Sequence, residues 1–196
     1  MRAVLATRNA HKVEEVRRIL APYDVDLVSL DEFPHVGDVA ETGATFADNA
    51  LLKAHAVAAA TGLPSLADDS GLTVAALNGM PGVLSARWSG RHGDDATNLQ
   101  LVLDQIADVP DERRMAAFVC AAAAVTPSGR EVVVEGRFDG VLVRAPRGAN
   151  GFGYDPIFVP LGERRTTAEM SADEKDAISH RGKAFRALAP RLRDLA

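Results

Sequence analysis

The chain has 196 residues, of which 47% are hydrophobic and 25% charged, with a formal net charge of -5. That is enough material for one packed globular domain over residues 1–196, and the acidity argues against a protein that coats nucleic acid, so any bound anion has to be met by local cations. No apolar segment approaches the ~20 residues of a membrane span and the N-terminus lacks a signal-peptide pattern, so a soluble, cytoplasmic protein with no membrane partner is expected.

In chain order, "AVLAT" (residues 3–7) reads as a buried strand. "KVEEVRRIL" then switches to helical spacing, with Val13, Val16, Ile19 and Leu20 on one stripe. Between them lies "TRNAHK", where Asn9 can cap the helix and Arg8, His11 and Lys12 place positive charge at a helix start. Cations are disfavoured at that end unless an anion such as phosphate binds there; the alternative is a solvated helix start. A second strand is expected in "YDVDLVSL".

"ATFADNALLKAHAVAAATGLP" is the clearest helix, with a Thr45/Asp48 capping box, Gly62 as C-terminal cap and Pro64 as stop. Lys53 shares one face of it with Asn49. Glu41 precedes it, and "LADDSGL" follows, with Asp68 and Asp69 expected where a short strand ends. Carboxylates converging at loop ends suit Mg²⁺, a hard cation that takes oxygen ligands, and Ser70 is placed to reach a phosphate oxygen. A solvated Asx-type turn would favour the same residues.

"LTVAAL" reads as another short strand, "SARWSG" holds the only tryptophan, read as packing, and "ATNLQLVLDQIAD" is an amphipathic helix. Cys120 sits in the strand "MAAFVCAAAAVT" with no polar residue beside it, which reads as a small buried hydrophobe rather than a nucleophile. "REVVVEG" and "DGVLVRA" read as two further strands, the first joined to its predecessor by a turn at "PSG". "PRGANGFGYDP" is a glycine-rich loop. Gly153 lets backbone approach a ligand, Phe152 and Tyr154 offer aromatic faces for a base, and Asp155 offers an acceptor for a base edge; a loop with its aromatics tucked inward is the alternative. A Ser171/Glu174 capping box precedes Lys175, and "SHRG" puts His180 and Arg181 at the start of a terminal helix. Early alternation of strands and helices with a late hairpin predicts an α/β fold with a mixed sheet.

Taken in order, "T-x-N-x-x-K", "ETGATFADNALLKA", "LADDSGL", "GVLSARWSG", "GFGYDP" and "EKDAISHRGKA" resemble the inosine/xanthosine triphosphate pyrophosphatase family. The resemblance spans residue 5 to about residue 188. It implies an elongated mixed sheet flanked by helices, two lobes with a central cleft, a homodimer, and Mg²⁺-dependent hydrolysis of non-standard purine nucleoside triphosphates to monophosphate and pyrophosphate. By motif, the segment Thr7, Arg8, Asn9, Ala10, His11 and Lys12 would hold the triphosphate. Lys53 would lie close by, Glu41 and Asp69 would bind metal, Asp68 would assist, and Asp69 would accept the proton. Ser70 would contact substrate, and Phe152, Gly153, Tyr154, Asp155, Lys175, His180 and Arg181 would build the base pocket. The chain differs from the family pattern in carrying Arg8 and His11 where small residues are usual, and Asp48 where Glu is commoner. Two other readings are a silent purine-nucleotide sensor and a pyrophosphatase for pyrimidine or other modified nucleotides.

Overall fold

Apolar runs early in the chain form short parallel strands. In the computed structural model, which describes residues 1–195, strand β1 (Arg2–Leu5) pairs in parallel with both β2 (Asp26–Ser29) and β3 (Ser65–Val74). A parallel pair needs a long crossover, and helices α1 (Ala10–Leu20) and α2 (Phe46–Thr61) supply them. Strands β4 (Met115–Val125) and β5 (Glu131–Leu142) are joined by a turn in which Thr126 N–H donates to the Arg130 carbonyl at 2.9 Å. Strand β6 (Phe158–Pro160) pairs antiparallel with β5. The strand order β2-β1-β3-β4-β5-β6 gives the expected mixed sheet. Helices α3 (Asp95–Gln105), α4 (Ala172–Ile178) and α5 (His180–Leu188) complete the fold.

The local stop and start signals act as their chemistry requires. Asn9 accepts the Lys12 N–H at the start of α1, and Thr45 and Asp48 cap α2 reciprocally. Gly62 ends α2 in the left-handed region at φ 67°, where a side chain is disfavoured. Ser171 and Glu174 form the second capping box.

Strand continuity was misjudged from sequence. "SLADD" and the first half of "LTVAAL" belong to one strand, β3, with Ala75–Leu77 forming a 3-10 turn, and most of "REVVVEG" and the first part of "DGVLVRA" lie within one strand, β5. Gly136 and Gly140 do not interrupt β5; they give clearance. A Cβ on Gly136 would sit 2.2 Å from the His180 carbonyl oxygen, and one on Gly140 2.4 Å from that of Val159. The short strand β6 was not expected at all.

The chain forms two compact units. The first comprises Met1–Asp69, Cys120–Gly136 and His180–Ala196. Its core joins Leu5 and Leu66 of the sheet to Val16 and Ile19 of α1 and to Phe185 and Leu188 of α5. Each such side chain contributes about 1.5–3 kcal/mol by leaving water. Small residues of β4, among them Ala122 and Ala124, are buried in the same core. The second unit comprises Ser70–Val119 and Arg137–Ser179, with a core of Leu72, Val102, Ile106, Phe118, Phe138 and Phe158. Among the described residues, no helix is long and apolar enough to cross a membrane.

Because the Gly136 contact is with backbone, which cannot rotate away, Gly136→Ala is expected to lower stability by about 3 kcal/mol in chemical denaturation. An unchanged midpoint would show that α5 can shift at no cost.

Candidate active site

Strand β3 carries Asp68 and Asp69 in its interior, not at its end, so "DDSG" is not the turn that its composition allowed. A strand sends successive side chains to opposite faces, which separates the two carboxylates without any metal between them. On one face, Asp68 Oδ2 accepts from Nε and Nη2 of Arg181 at 3.2 and 3.1 Å and lies 3.2 Å from Lys12 Nζ. On the other, Asp69 Oδ2 accepts from Asn49 Nδ2 at 3.0 Å, and Oδ1 lies 3.7 Å from Lys53 Nζ.

Arg181 is 2% exposed. Its third contact is Nη1 to Glu15, also buried. Burial alone would lower the guanidinium pKa; Asp68 and Glu15 outweigh that and raise it. In this structure the planar guanidinium fork meets two carboxylates, Asp68 and Glu15. His180, which opens α5, is buried as well. Cys120 is fully buried as expected, yet the fold brings its Sγ to 4.0 Å from Asp68 Oδ2. Sequence adjacency could not reveal that neighbour.

Lys53 Nζ also donates to Glu41 Oε1 at 2.6 Å. Burial lowers the Lys53 pKa, but Asp69, Asp68 and Glu41 together raise it above its ordinary value. Lys53 is thus a fixed cation and not a base. Asp69 behaves in the opposite way. Burial pushes its carboxyl above the ordinary range, Glu41 adds to that, and Lys53, Lys12 and Asn49 pull back without cancelling it. A carboxylate made more basic by burial is suited to accepting a proton.

The same donor set bears on a metal. Glu41 and Asp69 are two hard oxygen donors that already converge on one cation, the Lys53 ammonium. Among the described residues, no group of three or more His, Cys, Asp or Glu side chains forms a closed cage. Two carboxylate oxygens with no thiolate or imidazole beside them among the described residues fit a hard divalent cation better than zinc.

The N-terminal loop divides. Thr7 Oγ1 accepts from Asn9 N–H at 3.1 Å, and Asn9 caps α1. Ala10 and His11 lie exposed in the first turn, and Lys12 turns to Asp68. Arg8 turns away: it donates to the Val36 carbonyl at 2.6 Å and reaches Asp38 at 3.3 Å and Asp31 at 3.9 Å. Of the cations that the sequence placed here, Lys12 lies against Asp68.

In the second unit, Ser70 is half-buried on β3. Asp155 is 2% exposed and organises the glycine loop. Its Oδ2 accepts from Phe152 N–H at 2.9 Å and Lys175 Nζ at 2.6 Å, and its Oδ1 accepts from Thr167 Oγ1 at 2.7 Å. Three donors occupy the carboxylate expected to meet a base edge. Lys175 Nζ lies 4.9 Å from the Phe152 ring centroid, a cation–π arrangement. Gly153 donates its N–H to Asp95 at 2.9 Å. Tyr154 is no stacking platform, because its ring is in the core and its hydroxyl donates to the Ser85 carbonyl at 2.8 Å. Trp88 packs on the same core, as expected.

The model of the Ham1 family matches residues 3–191. This chain belongs to the Ham1 family. It is 63% identical over 196 residues to the dITP/XTP pyrophosphatase of Streptomyces coelicolor, covering 99% of this chain and 98% of that one. A crystal structure of the nucleoside-triphosphatase / dITP/XTP pyrophosphatase from Mycobacterium abscessus shares 60% identity, with TM-score 0.79 over 97% of this chain and 100% of that one. The HAM1 protein from Coxiella burnetii is 43% identical, with TM-score 0.89 over 99% of each chain.

Two site residues of this Ham1 chain were not assigned roles from sequence. Glu15, an acid adjoining the apolar stripe of α1 three residues after Lys12, is one. Asn49, known only to share a face with Lys53, is the other. A buried polar residue on an apolar helix face was the available signal for both.

Arg181→Ala would remove the guanidinium that the buried Asp68 and Glu15 share, and is expected to cost about 3–5 kcal/mol in denaturant unfolding. For Asp69 the sign is reversed. Its folded pKa lies above the unfolded value near 3.8, so its destabilising cost is absent below that value and complete above the folded pKa. Metal-free Asp69→Asn is therefore expected to melt at or above the wild-type temperature at pH 8. The difference should vanish when the melts are repeated below about pH 4.

Proposed function

We propose that the chain hydrolyses non-standard purine nucleoside triphosphates, those of inosine, deoxyinosine and xanthosine, to the monophosphate and pyrophosphate. The carrying observation is the arrangement around β3: a buried Asp69, its pKa raised by burial, held beside Lys53 and Glu41. The name carried by the Streptomyces and Mycobacterium relatives supports the same reaction.

In this reading, Lys12 and Lys53 meet the charge of the triphosphate, and Thr7, Asn9 and the start of α1 offer polar groups to it. Asp69 takes the proton of the attacking water as the new P–O bond forms and the bond between the α- and β-phosphates breaks. Glu41 and Asp69 would hold Mg²⁺, which when bound supplies neutralisation of charge on the phosphate oxygens. Asp68, fixed by Arg181, sets the position of Lys12. Ser70 contacts substrate.

For the base, Phe152 provides a stacking face and Lys175 an ammonium donor beside it. A 6-oxo purine accepts a hydrogen bond where adenine's amino group donates, so a donor there favours the oxo form. Asp155, Gly153 and Tyr154 shape the loop, and His180 contributes from the start of α5. The 196 residues act as one catalytic domain, cytoplasmic and homodimeric, with neither nucleic acid nor membrane as partner.

Phosphorus NMR of the purified protein with Mg²⁺ and inosine, adenosine or guanosine triphosphate tests this. Pyrophosphate plus monophosphate from the inosine compound, with little from the others, is the expected result. Diphosphate plus inorganic phosphate would mean attack at the γ-phosphorus, and no hydrolysis would leave a nucleotide-binding protein. Asp69→Asn is expected to keep the fold by circular dichroism and to lose turnover by about a hundredfold or more.

A further inference from the structure

Asn49 is fully buried, at 0% exposure, in the first turn of α2. A neutral amide in an apolar helix face is costly unless all its groups are used. Its two ends are used on different segments. Oδ1 accepts from Gly43 N–H at 2.8 Å, and Nδ2 donates to Asp69 Oδ2 at 3.0 Å. The partners fix the amide's orientation. Flipped, it would set its oxygen against a carboxylate and its NH₂ against an N–H.

Gly43 lies two residues after Glu41, in the stretch that has no helix or strand of its own before α2. The fit there is close. A Cβ on Gly43 would come 2.5 Å from Asp48 Cβ and 2.8 Å from Asn49 Oδ1. One side chain thus holds the segment that presents Glu41 and also sets the orientation of the Asp69 carboxylate. Asn49 leaves Asp69 Oδ1 toward Lys53 by taking Oδ2.

The geometry points to Asn49 as the positioning residue of the acid pair: it fixes Glu41 and Asp69 relative to each other so that both carboxylates can serve one hard divalent cation. Asn49 acts through these two partners, Gly43 and Asp69. The inference rests on the metal-dependent reading of the site given above. Outer groups of this kind typically change metal affinity or activity by about 10–100-fold when removed.

The test uses the full chain and three readouts. Calorimetry with Mg²⁺ alone reads the affinity of the acid pair, and steady-state kinetics with inosine triphosphate separates kcat from KM. Hydrogen exchange at the Gly43 amide reads the link to the Glu41 segment. Asn49→Ala is expected to weaken Mg²⁺ binding about tenfold and to lower kcat about a hundredfold with KM within about threefold, while the Gly43 amide exchanges faster. Asn49→Ser, which can keep one of the two bonds, should fall between and serves if the alanine variant does not fold. A folded Asn49 variant with wild-type Mg²⁺ affinity and kcat, only less stable, would overturn the proposal and leave Asn49 a core residue. If the wild type shows no turnover, the functional reading fails. Mg²⁺ affinity and Gly43 exchange then still decide the positioning role.

Discussion

Two adjacent carboxylates in the middle of a buried strand are the constraint around which the first unit is arranged. Their mutual repulsion is relieved by backbone geometry, because consecutive residues of β3 face opposite ways. Their desolvation is not relieved by geometry, and each face answers it differently. Asp68 is matched by an arginine and a lysine at hydrogen-bond or ion-pair distance. Asp69 is matched by one amide at 3.0 Å and a lysine at 3.7 Å. Asp68 is paired with two cations. Asp69 keeps a pKa raised by its burial.

The helices are placed to serve that division. α1 brings Lys12 and Glu15, and α5 brings Arg181, to one face of β3, whereas α2 brings Asn49 and Lys53 to the other. Spacing on α2 matters here, since Asn49 and Lys53 are four residues apart and therefore lie one turn above each other. The close approach of α5 to β5 depends on Gly136 having no side chain. Packing and electrostatics thus converge on the same helix positions. A buried arginine shared between two carboxylates ties α1, α5 and β3 together, which makes it costly to remove and a firm support for the acid that it holds.

The second unit solves a smaller problem in the same way. A glycine-rich loop has little intrinsic preference for one shape, and Asp155 supplies it by accepting from the loop's own backbone, from a threonine and from a lysine. The lysine is thereby held beside the Phe152 ring, and Asp95 secures the next amide. Fully satisfied buried polar groups of this sort specify one arrangement of a loop that would otherwise have many.

Sequence by itself determined the main helices, several of their caps and the mixed α/β class, because those follow from local periodicity and from side chains bonding to nearby backbone. The caps at Asn9, Thr45 and Ser171 and the stop at Gly62 are contacts within a few residues of the chain. It also located the residues of the acid cluster by type. It could not decide how they pair. Arg181 and Asp68 are 113 residues apart, and Arg181 and Glu15 166. Only the folded chain showed that the arginine fork is spent on carboxylates, that Arg8 turns away from the phosphate loop, and that Tyr154 faces the core. The two interrupted strands were misread for the same reason: whether a glycine breaks a strand or gives it clearance depends on what packs against it. Side-chain partners chosen across long sequence separations are set by tertiary packing, which no local pattern encodes.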